Sequence, residues 1–229
     1  MSIHAPIEIP CPACEGLVPV DVAFSINGGR HPHFREAILD NSFQRYTCSR
    51  CGEGFRLAPE LTYFDASRSV WLLVRPHEEL DGWDEVEGGA RVIFEKAFGP
   101  KTPPQAQELG EHLTVRVVFG WPAFREKLAA ANAGLNDVEL ELVKLALIRT
   151  AGDPPLADKV ELRLLGLKDD KLVFLWLNPE TEQVVESLRA PKKLYDDIAA
   201  DDAWNDLRDD LQAGAFVDLD RLLVEPLPT

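Results

Sequence analysis

Apolar and polar side chains alternate over residues 17–24 (LVPVDVAF), which is the period of a half-buried strand. Asn27-Gly28-Gly29 breaks that pattern, Pro32 opens a short helical stretch over 34–39, and Asn41 punctuates again. Residues 43–47 read as a second strand that ends on Cys48. Residues 55–64 and 69–75 read as the next two, and the polar turn Asp65-Ala66-Ser67-Arg68 predicts a hairpin between them. Helical periodicity runs over 78–98, with Gly88-Gly89 expected to divide it. The segment 99–104 (GPKTPP) is the clearest linker, and 112–119 is strand-like up to Gly120.

Beyond Gly120, Pro122 suits a first helical turn and opens a helix through Ala131. Asn136 or Asp137 can cap another helix, whose Val138, Leu142, Leu145, Ala146 and Ile148 form an apolar stripe. Residues 160–167, 171–177 and 183–188 read as three strands, joined by Asp169-Asp170 and by Asn178-Pro179-Glu180-Thr181 into an antiparallel meander. Pro191 begins a closing helical region that runs towards Leu211. There Tyr195, Ile198, Trp204, Leu207 and Leu211 recur at helical spacing, with Asp196, Asp197, Asp201, Asp202, Asp206, Asp209 and Asp210 between them. The expectation is a partner-facing element whose apolar face either packs on the meander or stays exposed to enter a groove, with an acidic face in solvent able to steer a basic partner.

Composition narrows the classes. The 229 residues are 45% hydrophobic and 28% charged, inside the globular range. No stretch approaches the ~20 apolar residues that span a bilayer, so no membrane association is expected. The first residues hold neither a basic patch nor an apolar run, so a secretory signal is not expected and the cytoplasm is the expected compartment. A net charge of -15 repels phosphate backbones and anionic lipid, which argues against nucleic acid as a partner. The acidic excess peaks over 81–87 and 196–210, and its plainest role is solubility.

The four cysteines fall in two pairs, Cys11-Pro12-Ala13-Cys14 and Cys48-Ser49-Arg50-Cys51. A two-residue gap lets both thiolates of a pair face one ion, and four sulfurs at about 2.3 Å suit tetrahedral Zn2+. Gly52 after the second pair permits the backbone such a knuckle needs, while the first pair has Glu15 before Gly16. A redox dithiol belongs at a helix N-terminus, whereas Cys14 leads into an alternating strand. Disulfides are disfavoured in a cytosolic chain. Cys11, Cys14, Cys48 and Cys51 are therefore the expected ligands of one structural zinc, with no open coordination position. The fold class that follows is α+β. A zinc-ribbon-like antiparallel β domain with an inserted helix occupies 1–120. A helix pair, a three-stranded antiparallel meander and an acidic terminal helix occupy 121–229.

With these residues in view, the chain resembles the CpXC family of bacterial proteins. The resemblance rests on the first knuckle, on 27–51 (NGGRHPHFREAILDNSFQRYTCSRC), and on Tyr63-Phe64-Asp65 with Ser69-Val70-Trp71. It continues through 116–120 (RVVFG), Leu128, 134–137 (GLND) and 171–174 (KLVF), reaching to about residue 198. Phe64 stands where this family's hairpin is expected to carry histidine. The resemblance implies zinc ligation by the cysteines, a role not yet characterised, and no catalytic residues.

Other candidates are weaker. His31 and His33 flank Pro32 inside the zinc insert and can supply a base or a ligand, against a plain solvent-exposed loop. Asp81, Asp84, Glu85 and Glu87 carry hard-cation oxygens but lack EF-hand spacing. Arg116 interrupts an apolar strand and can reach an anion together with Arg125 and Lys127, although one-sided strands place polar residues at alternate positions anyway. Nucleophile-elbow and phosphate-loop motifs are absent. The leading expectation is a zinc-held protein-interaction or adaptor module with a protein partner. The alternatives are a nucleic-acid- or transcription-associated zinc-ribbon protein, or a hydrolase using the His31/His33 region. The residues do not set an oligomeric state.

Overall fold

The computed structural model describes residues 2–151 and 160–223. Strands β1 (Ile3–Pro10) and β2 (Leu17–Asn27) form an antiparallel hairpin with Cys11 and Cys14 at its tip. Helix α1 (Pro32–Leu39) follows, then a small hairpin of β3 (Arg45–Thr47) and β4 (Gly54–Arg56), tipped by Cys48 and Cys51. Strands β5 (Leu61–Asp65) and β6 (Val70–Arg75) make the expected hairpin, in which Asp65 caps the 3₁₀ turn by accepting from Ser67 N–H. Helices α2 (Trp83–Phe98) and α3 (Pro104–Glu111) lead to β7 (Thr114–Phe119).

These strands build a five-stranded sheet in the order β1-β2-β5-β6-β7. The antiparallel expectation for this half is corrected: β2 pairs with β5, and β6 with β7, in parallel. Both parallel pairs close over long crossovers that carry helices, and local turn signals cannot reveal such pairings. The run expected as one strand over 55–64 is also two strands in two different sheets, broken before Leu61 around Pro59. Helix α2 passes unbroken through Gly88-Gly89. Both glycines are exposed, while Val86, Ala90, Phe94 and Phe98 on one face bind the helix to the sheet. Helix α3 was not anticipated.

The sheet is covered on both sides, which explains the nearly continuous apolar run of β6. Leu72, Val74, Tyr63 and Val118 pack with Ile38 of α1 and with Trp121, Phe124 and Leu128 of α4 (Gly120–Asn132). Trp71, Leu73, Val117 and Phe119 meet Ala90 and Phe216 on the other side. Gly120 takes φ +79, which lets β7 turn directly into α4. Helix α5 (Asp137–Thr150) is capped by the Asn136 side chain on Val138 N–H. It packs with α4 over a three-stranded antiparallel sheet of order β10-β9-β8, formed by β8 (Glu161–Lys168), β9 (Lys171–Leu177) and β10 (Val184–Pro191).

The closing region is two helices rather than one, α6 (Lys192–Ala199) and α7 (Asn205–Gln212). Asp201 ends the first by capping a new 3₁₀ turn through Ala203 N–H. Tyr195, Ile198 and Leu211 are buried in the core shared by α5 and the meander, and the seven aspartates named above face solvent. The chain then returns to the first sheet: Ala215 C=O accepts from Val117 N–H, and Phe216 N–H donates to Glu87. Helix α8 (Asp220–Leu223) follows. Among the described residues no helix is long and apolar enough to cross a membrane.

Candidate metal centre

The two cysteine turns have the same backbone design. Cys11 N–H donates to Gly16 C=O and Glu15 N–H to Cys11 C=O, each at 2.9 Å. Cys48 N–H donates to Glu53 C=O at 2.8 Å and Gly52 N–H to Cys48 C=O at 2.9 Å. The residue after each second cysteine takes positive φ, +78 at Gly52 and +58 at Glu15. The first turn thus holds a non-glycine residue in the left-handed region that glycine fills in the second.

These turns bring all four Sγ atoms within 4.8 Å of one another. Cys11 Sγ lies 3.7 Å from Cys51 Sγ, and Cys14 Sγ 3.7 Å from Cys48 Sγ. A tetrahedron with metal–sulfur bonds of about 2.3 Å has edges of about 3.8 Å, so the spacing fits a zinc-sized ion. Cys11 and Cys48 are buried against Val18 and Val20, with Ile9, Tyr46, Phe55 and Leu57 around them, while Cys51 is exposed. The Cys48 thiol is pulled down to about 7 by the backbone N–H of Cys51 and then that of Arg50. At Cys51 the Glu53 N–H favours the thiolate, but hydrogen bonding to Cys14, burial and the other sulfurs push it up to about 12. Crowded sulfurs resist full ionisation by themselves, and a divalent cation supplies the charge that allows four thiolates.

His31 and His33 do not join this group. They start α1 and pack around Phe34, against which His4 also stacks, at a 4.9 Å ring separation. The carboxylates of 81–87 do not converge either: Asp81, Asp84 and Glu85 are exposed, and Glu87 pairs with Arg221 at 3.0 Å. Arg116 forks onto Asp137 at 2.7 and 3.0 Å, so its strand position serves an internal ion pair.

Sequence reasoning missed a buried ionic network around α4 and α5. Glu126 Oε1 accepts from Lys144 at 2.9 Å and from Arg163 at 3.1 Å, and its Oε2 from Leu164 N–H at 2.6 Å. Arg163 also pairs with Asp218 at 2.5 Å, and Lys144 with Glu141 at 2.6 Å. Burial pushes Glu141 up to about 8 against the pull of Lys144. Burial raises Asp218 too, but Arg163 and then Lys144 overcome it and hold its carboxyl well below the usual range. Glu126, Glu141 and Asp218 can in principle gather a cation, but Lys144 and Arg163 already supply the positive charge. Residues 138–144 of α5 are all buried, so Glu139, Glu141 and Lys144 find partners inside, whereas the apolar stripe read from the sequence placed only Val138 and Leu142 of that run in the core.

A profile described as CpXC protein matches residues 9–144, more than half of the chain. It takes in both cysteine turns, strands β2 to β7 and α4, leaves out most of β1, and stops within α5, short of the reach to 198 expected from the sequence. Searches of curated proteins and of solved structures returned no match. With four convergent sulfurs inside the matched span, this chain belongs to the CpXC family.

Proposed function

We propose that the chain is a zinc-stabilised protein-interaction or adaptor module of the bacterial cytoplasm, with Cys11, Cys14, Cys48 and Cys51 as the zinc ligands of a ribbon-like pair of hairpins. The observation that carries this reading is the geometry of the sulfurs, whose 3.7 Å spacing suits a sphere closed by four thiolates. A closed sphere leaves no position for water or substrate, so the ion stabilises the hairpins rather than activating a nucleophile. Thiolate ligation also favours a reducing compartment. The surface offered to a partner includes the exposed carboxylates of α6 and α7, which suit a basic protein.

The experiment is affinity capture from the native cell, with mass spectrometry, at two salt concentrations. It compares the wild-type chain with a variant carrying Asn at Asp201, Asp202, Asp206, Asp209 and Asp210. The reading predicts a recurrent protein partner whose capture weakens with salt and in the variant. Copurifying nucleic acid, or an unchanged partner set, contradicts it.

A further inference from the structure

Where the C-terminal end of α1, the start of α4 and the face of the β8–β10 sheet meet, an open cleft of about 240 Å³ is lined by Leu39, Pro122, Leu164, Leu165, Leu175 and Val184. Its polar end holds Arg125 beside Asn41 and Glu182. Three arginines converge there on one carboxylate. Glu182 Oε1 accepts from Arg45 at 3.3 Å and Arg56 at 2.8 Å, and its Oε2 accepts from Arg125 at 2.5 Å. Asn41 Oδ1 accepts from Arg56 and from Arg125. Asp40, the other carboxylate at the cleft, is occupied by Ser42 at 2.5 and 2.9 Å. In a chain of net charge -15, three guanidinium groups here face the two carboxylates Glu182 and Asp40, one positive charge in excess.

Among the described residues Arg125 uses only Nη1 for these bonds, its Nε and Nη2 make none, and beside it Arg56 Nη2 is a buried donor with no partner. A guanidinium so placed presents donors in a plane, the arrangement that recognises a carboxylate. The apolar wall beside it has a half-open rim, with Leu165 at 55% and Val184 at 50% exposure. The volume is below the ~300–1,000 Å³ of sites that enclose a free small molecule. It suits one aliphatic side chain, and the open rim lets a chain continue outward.

From this geometry we infer that the cleft binds the C-terminal residue of a partner polypeptide, its α-carboxylate on Arg125 and its aliphatic side chain among Leu164, Leu165, Leu175 and Val184. The inference rests on the interaction-module reading and gives it a second, chemically distinct contact. Arg45 and Arg56 face each other across β3–β4, whose tip carries Cys48 and Cys51. The polar end of the cleft is therefore built on the base of a cysteine hairpin.

The test titrates the ¹⁵N-labelled full chain with acetyl-Gly-Ala-Leu as the free acid, as its C-terminal amide, and with 4-methylpentanoate. The free acid is expected to bind saturably and shift Arg125, Leu165, Leu175 and Val184, with the amide at least 10-fold weaker. Leu165→Glu places a negative charge on an exposed rim residue and is expected to weaken the acid at least 10-fold without changing the melting curve. Arg125→Lys keeps the charge but loses the fork and is expected to weaken it as well. Equal binding of acid and amide, absence of saturation, or shifts elsewhere overturn the inference. Binding of 4-methylpentanoate as tightly as the peptide overturns the polypeptide assignment. Partner capture by the wild-type chain together with no binding of the free-acid peptide to it removes the cleft and leaves the interaction reading standing.

Discussion

Tyr46 and Asp21 exchange two hydrogen bonds between the cysteine hairpins. The Tyr46 hydroxyl donates to Asp21 C=O at 2.7 Å and accepts from Asp21 N–H at 3.2 Å. The contact ties β3 to β2 independently of the sulfurs, so it pre-assembles the two halves of the metal centre. Tyr46→Phe keeps the packing on Phe55 and removes the bridge. Such a loss costs about 0.5–1.5 kcal/mol, and a chelator competition assay should show metal leaving several-fold faster. Unchanged release kinetics would show that the hairpins are aligned by the metal alone.

Metal loss should be felt locally. The knuckle cluster of Cys11, Cys48, Val18 and Val20 is separate from the core that holds Ile26, Ile38 and Phe124. Zinc contributes on the order of 10–16 kcal/mol in isolated finger peptides, more than that small cluster can replace. Cys48→Ser is therefore expected to open the cysteine turns and β3–β4 to protease while α1 and the helices and strands from β5 onward stay protected. Mass spectrometry of the fragments checks this, and uniform resistance would count against a structural role for the metal.

Inside the second core, Lys144 bonds to both Glu126 and Glu141 and is 1% exposed. Lys144→Met removes the shared cation and leaves buried carboxylates short of a partner. A loss of about 3–5 kcal/mol is expected by urea denaturation. The exposed pair Arg91–Glu95 offers the contrast, since Arg91→Ala should cost below about 1 kcal/mol.

Glu141 sets a slope of stability with pH. Its carboxyl is pushed up to about 8 in the folded chain from a usual value of 4.5, so between those values the folded state holds a proton that the unfolded state has lost. Stability from this group is complete below about pH 4.5 and falls as pH rises to about 8, by up to about 1.4 kcal/mol per unit. Asp137 and Asp218 act oppositely. Their depressed carboxyls add stability above their ordinary range, and that stability is lost as the solution becomes strongly acidic. Urea midpoints should fall between about pH 4.5 and 8 and level off above that, and Glu141→Gln should flatten that fall. A variant with the wild-type slope would assign it elsewhere.

The sequence was informative where the physics is local. The paired cysteines, the Asp65–Arg68 turn and the meander all have short-range causes, and β9 begins and ends where its sequence places it, at Lys171 and Leu177. What escaped were relationships across long separations. The parallel pairs β2–β5 and β6–β7 depend on crossovers, and Glu126 finds Lys144 and Arg163 through tertiary packing. At the cysteine cluster the paired thiols were legible, but the positive φ of Glu15 and the Tyr46–Asp21 bridge were not. Glycine at the turn was the only signal, and the first turn does without it in that position.

Zinc K-edge X-ray absorption on the purified chain tests the central claim most directly. The account predicts one zinc per chain, surrounded by four sulfurs at about 2.3 Å with no lighter neighbour. Nitrogen or oxygen in the coordination shell would contradict the closed four-cysteine centre, and so would a metal-free chain whose Cys11, Cys14, Cys48 and Cys51 titrate as free thiols.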